Sequence, residues 1–185
     1  MTIWADADSL PREVRELIAR RASAPGSGLR AVFVANRKIP LPAGSNLAAV
    51  IVGRAGSNRA AMDQGASRSE QEPARLADGQ GELFNDDADS FILSEARAGD
   101  IIVTRDIPLA SRAIDRGIIA VNDRGDLWTA DTVRERLSLR DHAAALRDAG
   151  LAPELAKGRQ FGQKERSAFA NALDKAINRA KKLMA

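Results

Sequence analysis

The stretch Ile101-Ile-Val-Thr-Arg-Asp-Ile-Pro108 combines a strand-like run with a turn. Its apolar, β-branched residues predict a strand over residues 101–104, and the polar residues that follow predict a turn. A helix is expected over 109–116, and a second apolar run predicts a strand over 118–121. Strands and helices that alternate through short turns are typical of an α/β domain with a parallel sheet.

The same alternation occurs toward the N-terminus, where the chain begins with a short apolar stretch that predicts a first strand. Apolar residues then recur at helical spacing over residues 14–22, and Asp8 or Ser9 is expected to cap this helix. The runs 29–35 and 47–52 are continuously apolar, which predicts strands buried on both faces of a parallel sheet.

The C-terminal part is predicted to be helical. In a helix expected over residues 163–183, Phe169, Leu173 and Ile177 step by four residues and form one apolar stripe. The predicted fold class is therefore α/β, with a central, mostly parallel sheet and a helical C-terminal part. Further helices are predicted between residues 86 and 99, over 131–140 and over 142–148.

The charge and polarity of the chain suggest two units. We expect one domain over residues 1–150, interrupted at about residues 54–82 by a polar insertion with too few large apolar residues to offset its ordering entropy. Such a segment is expected to be mobile. Residues 151–185 are rich in lysine and arginine and are expected to form a basic helical extension that packs on the same domain.

The composition excludes several kinds of chemistry. The chain has no cysteine and one histidine, His142, so it can form no disulfide-linked partnership, thiolate zinc site or multi-histidine metal site. Any metal would be held by oxygen atoms. Its apolar runs are too short to cross a membrane, and its first residues lack the basic region of a secretory signal, so a cytoplasmic location is expected. Oligomeric state is left open.

Acidic residues follow three of the predicted strands. Asp6 and Asp8 follow the first strand, Asp106 follows the strand at 101–104, and Asp123 follows the strand at 118–121. In an open parallel sheet, ligands bind outside the carboxyl ends of the strands. The sequence therefore predicts an acidic cluster at this edge.

A second pair of acids, Asp86 and Asp89, lies near the start of a predicted helix, three residues apart and on one side of it. Carboxylates that lie close together repel, and a hard divalent cation such as Mg²⁺ or Mn²⁺ relieves that repulsion. Such a cation can also activate water for attack on a phosphodiester.

Several stretches of the chain are distinctive in their order and spacing: Ile3-Trp-Ala-Asp-Ala-Asp-Ser-Leu-Pro11, Val34-Ala-Asn36, Asp86-Asp-Ala-Asp89, Ala98-Gly-Asp-Ile-Ile-Val-Thr-Arg-Asp-Ile-Pro-Leu-Ala110 and Val133-Arg-Glu-Arg-Leu-Ser-Leu-Arg-Asp141. With them the chain resembles the bacterial YaiI/YqxD family, which is grouped by resemblance with PIN-like nuclease folds. This resemblance implies a PIN-like three-layer fold.

The resemblance also implies a site and an activity. Asp6 and Asp106 would be metal ligands and Asp89 the acid between them, with Asp8 and Asp86 as close supports. The implied activity is a nuclease that uses Mg²⁺ or Mn²⁺ to cleave a phosphodiester, with RNA as the expected substrate and Asp6, Asp8, Asp89 and Asp106 as catalytic residues. The expected substrate contacts are Asn36, Thr104 and Arg105.

Other interpretations remain open. Asp8 has a structural alternative as a helix cap, Asp86 and Asp89 as partners of a helix dipole, and Asp123 as a turn residue. His142 is assigned no chemistry. The basic C-terminal segment either stabilises a helix end or contacts phosphates. The alternative function is a nucleic-acid or protein binding module without turnover, with contacts from that segment and from Arg134, Arg136 and Arg140.

Overall fold

The computed structural model describes residues 1–38, 40, 44–52, 87–148 and 161–184. The predicted insertion at about residues 54–82 lies outside the described residues. The strands are β1 (Thr2–Asp6), β2 (Arg30–Ala35), β3 (Leu47–Ile51), β4 (Ile101–Val103) and β5 (Ile119–Val121). The helices are α1 (Arg12–Ala22), α2 (Ala88–Glu95), α3 (Ile107–Asp115), α4 (Ala130–Asp148) and α5 (Gln163–Met184).

The five strands form one parallel sheet in the order β3-β2-β1-β4-β5. From β1 the chain adds β2 and β3 on one side, and then β4 and β5 on the other. The order therefore reverses between β1 and β4, and such a switch point opens a crevice at the carboxyl ends of the two strands. The predicted α/β class with a parallel sheet is confirmed.

Helices cover both faces of the sheet. One face carries Ile3, Phe33 and Val103 and packs against α1 and α5. The other face carries Trp4 and Ile102 and packs against α2, α3 and the start of α4. Successive strand residues alternate between the faces because side chains in a strand point to opposite sides. The result is a three-layer α/β fold.

The C-terminal helix is part of this core. Phe169, Leu173 and Ile177 of α5 are buried against the sheet and α1, as their spacing predicts. The hydrophobic stripe of α5 therefore completes one of the two helical layers. Among the described residues, no helix is both long and apolar enough to span a membrane.

Three local predictions are wrong. The strand at 47–52 is β3, an edge strand that pairs only with β2, so it is not buried and Ile51 is 53% exposed. The helices predicted at 131–140 and 142–148 are one helix, α4, because no glycine or proline separates them. Helix α1 has Pro11 at its N-cap without a side-chain cap, so neither Asp8 nor Ser9 has the predicted capping role.

Candidate functional site

The site begins where β1 and β4 end side by side. Ala5 pairs with Val103 in the sheet, so the residues that follow, Asp6 and Thr104, are neighbours. The Thr104 hydroxyl donates a hydrogen bond to Asp6 Oδ2 at 2.8 Å. Both residues are buried, and Asp6 is only 5% exposed. Sheet register therefore brings a buried carboxylate to the switch point.

Asp106 joins this arrangement through the turn between β4 and α3. Its backbone N–H donates to the Thr104 hydroxyl oxygen at 2.9 Å, and its Oδ1 accepts from the N–H of Leu109 at 2.7 Å. Asp106 is thus the N-cap of α3, which begins at Ile107 rather than at the predicted residue 109. One hydroxyl group, that of Thr104, links Asp6 to Asp106.

Asp89 approaches from the other side, in the first turn of α2. The Ala88 N–H donates to Asn36 Oδ1 at 2.9 Å, which ties the start of α2 to the end of β2. The pKa of Asp89 is raised to about 6, chiefly by burial and then by repulsion from Asp6 and from Asp106. The nearby Arg112, whose Nη2 lies 3.5 Å from Asp89 Oδ2, acts in the opposite direction.

Asp6, Asp89 and Asp106, which we call the acidic site, therefore interact electrostatically although they come from β1, α2 and the β4–α3 turn. Thr104 engages one oxygen of Asp6, and the Leu109 N–H engages one oxygen of Asp106. None of the described residues donates a hydrogen bond to the other oxygen of either carboxylate. Within the described part of the chain, no donor competes with a ligand for these two oxygens.

Asp8 contacts different partners. Its Oδ2 accepts from the backbone N–H of Asn36, and its Oδ1 lies 3.5 Å from Arg37 Nε. Asp8 thus fastens the loop after β1 to the loop after β2. The side-chain oxygen of Asn36, an expected substrate contact, holds the start of α2. Both residues brace the rim of the acidic site.

The end of β5 supplies a feature that sequence reasoning underestimated. Asp123, interpreted first as a turn residue, is buried at 6% exposure, and its Oδ2 lies 3.5 Å from Arg105 Nε. The backbone N–H of Arg105 donates to Ser9 Oγ at 3.3 Å, so this expected substrate contact lies between the ends of β1 and β5. Its position shortly after the strand at 118–121 indicated the acidic edge, but the Asn-Asp-Arg-Gly sequence around it favoured a turn residue.

The remaining candidates lie elsewhere. Asp86 is outside the described residues. His142 is exposed on α4. Asp100 precedes β4 and therefore lies at the opposite edge of the sheet, where it accepts hydrogen bonds from Thr2 and Trp4.

The donor set of the acidic site suits a hard cation that keeps part of its water shell. In the described ranges, no group of three or more acidic or histidine side chains could hold a metal ion by itself. Mg²⁺ commonly binds through one or two carboxylates while retaining several waters. Such a cation could bind the second carboxylate oxygens of Asp6 and Asp106 and reduce their repulsion of Asp89. The donor set does not fit a site in which the protein supplies every ligand.

Comparisons with known proteins agree with the resemblance noted in the sequence. A UPF0178 protein of Treponema pallidum is 40% identical over 175 residues, which cover 95% of this chain and 80% of that protein. A UPF0178 protein of Psychromonas ingrahamii is 35% identical over 183 residues, covering 98% and 99%. No solved structure matches. The model of the YaiI/YqxD family, described as an uncharacterized family, matches residues 67–179, more than half of the chain. The chain therefore belongs to the YaiI/YqxD family.

Proposed function

We propose that this protein is a divalent-metal-dependent phosphodiesterase that cleaves RNA at the acidic site. The observation that carries the proposal is the meeting of Asp6, Asp89 and Asp106 at the switch point of a parallel sheet, where Asp6 and Asp106 both raise the pKa of Asp89 by repulsion. Uncompensated repulsion between carboxylates costs folding free energy. A site that maintains it is a candidate for binding a cation, which would relieve the cost.

Asp6 and Asp106 would hold the cation, Mg²⁺ or Mn²⁺, with the negative charge of Asp89 beside it, and Asp8 and Asp86 remain predicted supports. When bound, the cation supplies Lewis-acid activation of water and stabilises charge on the phosphate oxygens. The chain's own residues position these groups. Thr104 fixes the carboxylate of Asp6, and the N-cap geometry fixes that of Asp106.

Two further properties suit phosphodiester chemistry. Burial and repulsion raise the pKa of Asp89 in the cation-free site to about 6, so this carboxylate gains its charge, and its attraction for a cation, near neutral pH. Arg105 and Arg112 are partly exposed beside the acids they pair with. Their positive charges attract a phosphate toward an otherwise negative pocket. We also propose that the protein is related to the PIN-like nucleases and acts in the cytoplasm.

A second candidate is a nucleic-acid or protein binding module that keeps the fold without turnover. The observation in its favour is that the described part of the chain contains no three-ligand metal group. The two candidates differ in their response to chelation, because only the enzyme requires a cation for its activity.

The first test is calorimetric titration of Mn²⁺ into chelator-treated protein. We expect saturable binding by the wild type and loss of binding in Asp106→Asn, because asparagine still caps α3 but lacks the negative charge. Asp100→Asn is the matched control, since Asp100 lies at the other edge of the sheet, and it should bind Mn²⁺ as the wild type does.

The same proteins are then incubated with end-labelled single-stranded RNA and Mn²⁺, with and without chelator. Cleavage that needs Mn²⁺ and is lost in Asp106→Asn supports the enzyme. Equal Mn²⁺ binding and cleavage by Asp106→Asn and the wild type would refute the proposed site. RNA binding that survives both chelation and Asp106→Asn, without any cleavage, would favour the binding module.

A further inference from the structure

A cavity of about 250 Å³ opens where the turn after β5 meets the first turns of α5, lined by Arg124, Lys164, Glu165 and Ala168. Arg124 follows β5, so this cavity lies at the carboxyl edge of the sheet, as the acidic site does. We call it the basic cavity. None of its lining residues belongs to the acidic site, and no role has been given to it so far.

The turn that carries Arg124 is held by a buried side chain. Asn122 Oδ1 accepts hydrogen bonds from the backbone N–H groups of Arg124 and Asp126, each at 2.9 Å. The Asn122 amide in turn donates to Asp126 Oδ2 at 3.1 Å. These bonds fix the backbone on both sides of Gly125, so the position of Arg124 is set before any ligand arrives.

Gly125 then presses this turn against α5. Its φ is +93°, and a Cβ at this position would lie 2.4 Å from the carbonyl carbon of Ala168. No other residue type fits such an approach without movement of the backbone. The close contact keeps the turn beside the start of α5, where Arg124 and Lys164 share one cavity.

The charges that line the basic cavity favour an anion. Arg124 and Lys164 are exposed cations, whereas the Glu165 carboxylate accepts a hydrogen bond from the Gly162 N–H at 3.0 Å. Arg124 already has a contact within the protein, and an arginine has five N–H donors in all. Among the described residues, two cations and one carboxylate therefore line the basic cavity.

A third cation connects the basic cavity to the acidic site. Arg105 pairs with Asp123, the residue directly before Arg124, and its backbone bonds to Ser9 in the loop after β1. Positive side chains thus extend from the switch point across the end of β5 to the start of α5. A polyanion chain that enters the acidic site can follow this path.

We propose that the basic cavity binds a backbone phosphate of the RNA strand whose phosphodiester lies in the acidic site. This inference rests on the proposed function and adds that the substrate is a chain with further phosphates beyond the one that is cleaved. Arg124 and Lys164 contact that phosphate through charge-assisted hydrogen bonds. Such contacts carry no base preference and determine how strongly the strand binds and in which register.

The test is fluorescence anisotropy of a labelled single-stranded oligouridylate with the full chain, in chelator, across about 50 to 200 mM salt. Arg124→Gln and Lys164→Gln should each weaken binding about threefold or more and lower the slope of log affinity against log salt by about 0.7, the value for one lost phosphate contact on a single strand. Thermal melting checks that each variant is folded.

Two variants serve as matched controls: Arg20→Gln, near the end of α1, and Arg97→Gln, between α2 and β4 at the amino edge of the sheet. Each removes one exposed charge without touching the basic cavity, and each should leave the slope unchanged. Equal effects of all four variants, or no binding by the wild type at the lowest salt, would overturn the inference.

The outcome for the basic cavity is separable from the outcome for the acidic site. If the wild type cleaves no RNA with Mn²⁺ but Arg124→Gln and Lys164→Gln lose affinity, the enzyme proposal fails and the cavity stands as an RNA contact. If cleavage depends on Asp106 while these two variants bind like the controls, the enzyme stands and the inference about the cavity fails.

Discussion

The two edges of the parallel sheet use aspartates in opposite ways. At the amino edge, Asp100 accepts hydrogen bonds from the Thr2 N–H at 2.7 Å, and from Trp4 Nε1 and the Arg97 N–H at 3.2 Å each. At the carboxyl edge, Asp6 and Asp106 both repel the carboxylate of Asp89. A carboxylate satisfied by several donors stabilises the fold, whereas a cluster held against repulsion is typical of a ligand site. The difference separates structural acids from candidate functional ones.

The largest expected effect is a loss of RNA cleavage when an aspartate at the carboxyl edge is replaced. Asp6→Asn should lower Mn²⁺-dependent RNA cleavage about 100-fold or more, because it removes a charge from the reacting centre but keeps an acceptor for Thr104. Asp100→Asn should cleave as the wild type does. Initial rates with end-labelled RNA measure both, and equal losses in the two variants would show that the acids of the two edges do not differ in function.

A smaller effect is expected at the amino edge. Asp100→Ala should reduce the free energy of unfolding by about 2 kcal/mol, because the N–H groups of Thr2 and Trp4 lose their acceptor. Asp100→Asn keeps one acceptor oxygen and should lose less. Urea denaturation followed by tryptophan fluorescence measures the change. If Asp100→Ala loses no more stability than Asp100→Asn, the acceptor oxygen that asparagine keeps does not stabilise the fold, and the prediction is wrong.

The smallest effect concerns pH. The pKa of Asp89 rises from 3.8 to about 6 on folding, so the folded chain binds this proton more tightly than the unfolded chain does. The stabilisation from that proton is present below about pH 4 and is lost as the pH rises through 6. With allowance for partial exposure, Asp89→Asn should be about 1 kcal/mol more stable than the wild type at pH 7.

At pH 4 the stabilities of Asp89→Asn and the wild type should converge, because Asp89 is then protonated in the folded protein. Urea denaturation at a series of pH values, in the presence of chelator, tests this expectation. Asp115→Asn, which changes an exposed acid on α3, is the control and should show no such convergence. A constant difference between Asp89→Asn and the wild type from pH 4 to pH 7 would contradict the repulsion at the acidic site.

Much of the fold followed from local pattern. The helical spacing of Phe169, Leu173 and Ile177 predicted which side of α5 is buried, and the apolar run before Thr104 predicted β4. The position of β3 could not be predicted, because an apolar run looks the same in a central strand and at an edge. The continuity of α4 across residue 141 was not predicted, although no glycine or proline separates the two helices that were expected.

The acidic site was predicted in part. The positions of Asp6 and Asp106 after apolar runs indicated strand ends, and the chain at Asp89 indicated a helix start. The roles of Asp8 and Asp123 were not evident, because the first depends on the loop after β2 and the second on Arg105. Contacts between residues far apart in the chain leave no local pattern.

By itself, the sequence determined the alternation of strands and helices, the oxygen-only ligand chemistry and the membership in the YaiI/YqxD family, because these depend on residue type, spacing and similarity. Only the tertiary structure decided that β1 and β4 are neighbours, that Thr104 links Asp6 to Asp106, and that Gly125 brings Arg124 to the start of α5. Strand order and side-chain contacts arise from the packing of two helical layers on one sheet, and this packing is a property of the whole chain.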